Sequence, residues 1–186
     1  SKKILFLSQL LPYPPDAGAK VRAYYTLRWL AEHHSVTLVA FTRPDDPPDA
    51  MSHLRQLCQE VFTVPIYRGV LWDGSTLARS LIQRRSFIIL RDQITEMDTI
   101  LQRLMLENGF DVVHADQLWM AQYALRCKTF LELRAKYAQF ILDEHNACYQ
   151  IFERLALREH NLTKRWLWKR EAKLLRDYEA VVCTRF

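Results

Sequence analysis

Six short apolar runs, separated by stretches with helical periodicity, limit what this chain can fold into more than any other feature. They lie at residues 3–8 (KILFLS), 35–42 (SVTLVAFT), 61–66 (VFTVPI), 111–115 (DVVHA), 139–142 (QFIL) and 180–183 (AVVC). Each has the length and apolar character of a strand, and the first two read as strands covered on both faces. Pro65 cannot donate a ladder hydrogen bond, so the third run reads as an edge strand. Between the first two runs, Ala23, Leu27, Leu30 and Ala31 recur at helical spacing and predict a helix over 20–34. Helices are also expected over 51–60, over 75–90 and 92–107 with Ser75 and Asp92 as caps, from 116 to about 126, and from 146 to about 178 with a break near His160-Asn161. Residues 9–19, 43–49 and 67–74 read as loops, and Asn108-Gly109 as a helix stop. Strands alternating with helices call for an α/β fold, a Rossmann-like parallel sheet flanked by helices, and right-handed crossovers leave few other topologies.

The 186 residues are 49% hydrophobic and 25% charged, which excludes a disordered chain and fits one domain or slightly more. A net charge of +5 suits phosphate-bearing ligands or an anionic membrane surface. Cys58, Cys127, Cys148 and Cys183 form no C-x-x-C pair and read as reduced thiols of a cytoplasmic protein. No apolar run approaches the ~20 residues of a membrane span, and Gln9 and Pro12 interrupt the stretch behind Lys2 and Lys3 too early for an export signal. No H-E-x-x-H, G-x-S-x-G or Walker A motif is present, so metal and serine-hydrolase chemistry have no support in the sequence.

In a parallel sheet, ligands bind at the carboxyl ends of the strands. The loop after the first strand carries Ala17, Gly18, Lys20 and Arg22 ahead of a helix N-terminus, an arrangement suited to a phosphate. With one glycine where G-x-G-x-x-G needs three, it is not a dinucleotide fingerprint. In the alternative reading it is a proline-rich connector with Gly18 as a turn residue. After the fourth strand, His114 and Asp116 share a face and suit proton transfer or hydroxyl orientation. The alternatives are a helix cap for Asp116 and a buried, satisfied imidazole for His114. After the fifth strand comes Asp143-Glu144-His145-Asn146, a polar run suited to hydroxyl recognition or to capping the next helix through Asn146. Between Lys164 and Arg176, Trp168, Ala172 and Leu175 line one helical stripe and Lys169, Lys173 and Arg176 another. This is a solvated domain helix or a basic amphipathic helix for an anionic membrane; no motif accompanies it that would suggest nucleic acid.

Taken in order, ILFLSQLLPYPPDAGAKVRAYYTLRWLAEHHSVTLVAF, FDVVHADQLWMAQYA, ILDEHNACYQIFERLA and KREAKLLRDYEAVVCTRF resemble the N-terminal half of a GT-B glycosyltransferase of the group 1 (family 4) retaining enzymes. The nearest resemblance is to bacterial sugar transferases associated with exopolysaccharide clusters. That resemblance implies two Rossmann-like domains facing a cleft, the first gripping the acceptor and the second most of a nucleotide-sugar. It implies donor-phosphate binding at Ala17, Gly18 and Lys20, a catalytic role for Asp116, acceptor binding at Arg22, His114, His145 and Asn146, and no metal or other cofactor. The family usually has paired glycines where this chain has Ala17-Gly18, and often a histidine where it has Asp116. The partners implied are a nucleotide-sugar and a glycan, lipid-linked or small acceptor, with peripheral membrane contact through the basic helix.

A sixth strand ending at about Cys183, with no closing helix after it, reads as the first half of something larger, inactive without a donor-binding domain. The competing reading is a stand-alone Rossmann-like binding or regulatory module.

Overall fold

The computed structural model describes residues 1–66 and 68–186. Five strands are formed: β1 (Lys3–Ser8), β2 (Ser35–Thr42), β3 (Glu60–Pro65), β4 (Val112–Asp116) and β5 (Gln139–Asp143). They make one sheet in the order β3-β2-β1-β4-β5, with every neighbouring pair parallel. This is the Rossmann-like arrangement, and β3 is an edge as Pro65 requires. Strands β1, β2 and β4 are almost wholly buried, which explains their unbroken apolar runs.

The chain divides into two compact units, Ser1–Tyr67 with Thr95–Asp143, and Arg68–Ile94 with Glu144–Phe186. The first contains the sheet with α1 (Gly18–His33), α2 (Ala50–Leu57), α5 (Thr95–Glu107) and α6 (Leu118–Glu132). Leu27 of α1 and Leu54 of α2 pack with Ile4, Phe6, Val36 and Leu38 in a fully apolar cluster. The predicted stripe on α1 is the face in use: Ala23 and Leu27 are buried, and Leu30 and Ala31 lie against the cluster's edge.

The second unit is helical, with α3 (Val70–Gln83), α4 (Phe87–Arg91), α7 (Cys148–Arg158) and α8 (Leu162–Cys183). Helices α7 and α8 pair along their length across the break at 159–161: Phe152 meets Trp168, and Arg176 lies over the Tyr149 ring. Ala172 and Leu175 are buried on α8, while Lys169, Lys173 and Arg176 are exposed, as the two stripes predict. Glu171 accepts from the Ser86 hydroxyl and from the N–H groups of Phe87 (3.0 Å) and Ile88 (3.1 Å), so its carboxylate fills the open N-terminus of α4.

Several sequence expectations need correction. Residues 180–183 form no sixth strand; they are the last turn of α8, where Val182 alone is buried. Extending an existing helix gains one hydrogen bond per residue fixed, and that outweighs the β-preference of two valines. The predicted loop over 67–74 becomes helix from Val70, with Gly74 inside α3; Tyr67 lies outside the described residues. The single helix expected over 75–90 is broken by Arg84, a left-handed cap (φ 53°, ψ 39°). Ser75 is no cap: its hydroxyl donates to the Trp72 carbonyl within α3. Asp92 precedes α5 without capping it and is buried, paired with Arg68 at 3.0 Å and Arg91 at 3.7 Å.

The four cysteines are free thiols. Burial pushes Cys58, Cys127 and Cys148 up to about 12, which keeps them protonated. Leu27→Ala should lower the unfolding free energy by about 2–4 kcal/mol through lost burial and a residual cavity, and half-buried Leu30→Ala by less than about half of that. Denaturant titration of both variants checks the order.

Candidate functional site

Strand order reverses between β1 and β4, since the chain steps outward from β1 to β3 and then returns to the other side. Such a switch point opens a crevice beyond the strand tips. Ser8, Asp116 and Asp143 end their strands there in direct register, Ser8 opposite Asp116 and Asp116 opposite Asp143. Ser8 and Asp116 are fully buried, and the Ser8 hydroxyl donates to Asp116 Oδ2 at 3.3 Å. His114 lies two residues before Asp116 on the same face, its ring stacked on Phe6 at 4.6 Å. One ligand atom each from His114, Asp116 and Asp143 lies within 4.8 Å of the others.

The positive side of this group comes from α1. Arg22 reaches across to an ion pair with Asp143. Ala17 is the N-cap of α1, and its carbonyl accepts from Val21 N–H at 2.8 Å. No side chain caps the helix and no acidic residue lies in its first turn, so its positive end is left for a ligand. Gly18, one turn before Arg22, has no positive φ, and a Cβ built there meets nothing within 4 Å. The backbone does not demand glycine here; what it leaves is open space. Lys20 is held by Asp16 at 3.5 Å, one turn back.

Of the predicted site residues, the structure brings together His114, Asp116 and Arg22, with Ala17, Gly18 and Lys20 at the head of the helix that carries Arg22. His145 and Asn146 belong to the second unit. Asp116 is the last residue of β4 and not a helix cap; Gln117 holds the N-cap position of α6. Asn146 likewise is not a cap: Ala147 occupies that place before α7, and the Asn146 carbonyl accepts from the Cys148 thiol at 3.4 Å.

Ser8 and Asp143 are strand-tip residues in the sequence reading, but their places on either side of Asp116 come from register, which is set by pairing between distant segments. One participant escapes a reading of the sequence. Gln117 matters through its backbone, with φ 73° and ψ 159°, a region open essentially to glycine alone. Its N–H donates to the Asp143 carbonyl at 2.9 Å, and its side-chain oxygen accepts from Trp119 Nε1 at 3.1 Å. These bonds hold the strained residue immediately after Asp116. An imidazole and two carboxylates form a donor set that a divalent cation accepts, and the Arg22 guanidinium already supplies positive charge at Asp143.

In the second unit, Glu144 and Glu179 face one another and share a hydrogen bond. Cys183 donates to Glu144 at 3.7 Å, and Glu179 accepts from the N–H of Cys148 at the start of α7. Burial first, then the neighbouring Glu179 charge, raises the Glu144 carboxyl to about 7. Burial also raises Glu179.

A model of the glycosyl transferase 4-like domain matches residues 17–185. No curated protein matches significantly. Among solved structures, the C-terminal domain of a Pyrococcus furiosus hydrogenase is 14% identical with a TM-score of 0.45, covering 76% of this chain and 91% of its own. A U34-tRNA thiolase from Methanococcus maripaludis with its [4Fe-4S] cluster is 14% identical with a TM-score of 0.35, covering 97% of this chain and 72% of its own.

Two outcomes follow from this geometry. Gln117→Gly relieves the strained backbone and should leave the unfolding free energy unchanged or up to about 1 kcal/mol higher, whereas Gln117→Val should lower it by about 2 kcal/mol. A marked loss in the glycine variant, measured by denaturant unfolding, would remove the claim of strain. The Glu144–Glu179 pair binds more protons folded than unfolded between the ordinary glutamate value and about 7. Its contribution to stability therefore falls as pH rises through that window. Glu144→Gln should flatten that slope and raise the melting temperature at pH 8; an unchanged pH profile contradicts the pairing.

Proposed function

Because the chain belongs to the glycosyl transferase 4-like domain family, we propose that it is the acceptor-side half of a retaining glycosyltransferase, nearest to the exopolysaccharide-associated enzymes, moving a sugar from a nucleotide-sugar to a glycan, lipid-linked or small acceptor. The observation that carries the reading is the convergence of Ser8, His114, Asp116 and Asp143 at the switch point, with Arg22 and the uncapped end of α1 beside them. Glycosyl transfer passes through an oxocarbenium-like state while the leaving diphosphate gains negative charge. Fixed positive groups facing that charge lower the barrier. The N–H groups following Ala17 and Gly18, with Lys20, supply them from this half.

Asp116, oriented by Ser8, takes the catalytic place. Its carboxylate holds a sugar or acceptor hydroxyl, and its negative charge favours the cationic sugar ring. His114, braced by Phe6, presents an imidazole to the same hydroxyls. Arg22 releases Asp143 in part when acceptor binds, and His145 and Asn146 complete the acceptor site. Lys20 must leave Asp16 to reach a phosphate, and an exposed pair of this kind is worth little. A second, donor-binding domain completes the active enzyme, and this half alone does not turn over. The reaction so drawn needs no metal. No described helix is long and apolar enough to cross a membrane. We place the protein in the cytoplasm, with the basic face of α8 available to the inner membrane surface.

In the full-length enzyme, Asp116→Asn should lower kcat by about 100-fold or more, and Lys20→Ala by about tenfold, with melting temperatures held. Turnover should persist in EDTA. Wild-type rates in both variants, in a screen of nucleotide-sugars and acceptors, would leave the binding-module reading in its place.

A further inference from the structure

The helical unit carries a feature that glycosyl transfer does not use. A cavity of about 460 Å³ is walled by Val70, Leu77, Phe87, Leu167 and Trp168, a size within the range of small-molecule sites. The polar residues around it are engaged or placed to keep charge out. Arg170 donates to the Ser80 hydroxyl (3.0 Å) and carbonyl (2.6 Å), and Glu171 is spent on the N-terminus of α4. Asp73 also lines the cavity, and its carboxylate repels an anion from the interior. Apart from Asp73, what remains for a ligand to meet inside is mainly hydrocarbon.

Gly74 sits in the interior of α3, where glycine costs helix stability. It lines the cavity, and a Cβ placed on it meets nothing within 4 Å. A large side chain at this lining position has room to extend over the space.

The surroundings specify the other end of the ligand. Val70 and Leu71 are 89% and 90% exposed at the start of α3, and Leu162 (79%) and Trp166 (55%) are exposed on the first turns of α8. Lys164 and Arg165 lie one turn before Leu167 and Trp168 on the same side of that helix. Residues 68–94 and 144–186 hold fourteen Lys and Arg against eight Asp and Glu, net +6, while the rest of the chain holds twelve against thirteen, net −1. The protein's entire positive excess lies on the unit with the apolar cavity.

We propose that this cavity binds the single hydrocarbon chain of a phosphate-headed lipid, with the headgroup outside at Lys164 and Arg165. The inference rests on the second unit alone and does not depend on the glycosyl-transfer reading. Oleoyl lysophosphatidic acid below its micelle concentration is a suitable probe, followed by displacement of a dansyl-labelled fatty acid excited through Trp168. Binding should be saturable and tighter than that of monoolein, which has the chain without the phosphate. Gly74→Leu should weaken binding by about tenfold or more, a loss of about 1.4 kcal/mol, while raising the thermal midpoint, an outcome that misfolding cannot imitate. Lys164→Glu with Arg165→Glu should lower affinity for the phosphate lipid severalfold and leave monoolein unchanged. Wild-type affinity in Gly74→Leu, equal binding of the two lipids, or binding only to phosphatidylglycerol vesicles and never to the monomeric lipid would each overturn the proposal.

Discussion

The parallel register of β1, β4 and β5 is the constraint on which the candidate site depends. Side chains alternate along a strand, so a slip of one residue would turn Ser8, Asp116 or Asp143 to the opposite face. The register observed places all three tips side by side, and the bonds among them span 108 residues from Ser8 to Asp116 and 121 from Arg22 to Asp143. Burial of β1 and β4 between helices on both faces sets their register, and β5 pairs along the open edge of β4. The polar tips thus inherit their geometry from hydrophobic packing several residues away.

The connection after β5 divides two ways of managing close carboxylates. Asp116 and Asp143 are met by a hydroxyl and a guanidinium. Glu144, the next residue along the chain, faces Glu179 and a thiol. Burial raises both acids, and the Glu179 charge raises Glu144 further. Adjacent residues therefore differ in what they can do: Asp143 offers a charge steadied by arginine, while Glu144 changes charge near neutrality and belongs to the packing of α7 against α8.

The fold was legible because buried parallel strands leave an unambiguous signature, and the resemblance rested on the same ordered segments. The failures have local causes. The valines at 181 and 182 have strand propensity, but they extend a helix already formed. Gly74 reads as a loop signal because glycine in a helix interior is unfavourable, and the open space beside it is invisible in sequence. At the site, the shared face of His114 and Asp116 follows from strand alternation and could be read directly. The strand-tip position of Ser8 could be read as well; its bond to Asp116 could not, since a lone serine carries no mark of its cross-strand partner. Gln117 could not either, because nothing in its side chain announces a backbone held at positive φ.

Two departures from local rules bear on the sites of this chain, and they differ in kind. Gln117 adopts a conformation its own chemistry disfavours, held by the Asp143 carbonyl on one side and Trp119 on the other, and it adjoins the residue proposed for catalysis. Gly74 adopts an ordinary helical conformation that another residue would adopt better. The first break stores strain beside a site; the second leaves volume unfilled beside an exposed apolar surface in the unit that carries the net positive charge. Natural sequences violate their own propensities chiefly where function requires it. A packed helical unit has every reason to fill 460 Å³ with side chains, so a cavity of that size lined by a helix-interior glycine accords with an occupant that comes from outside the chain.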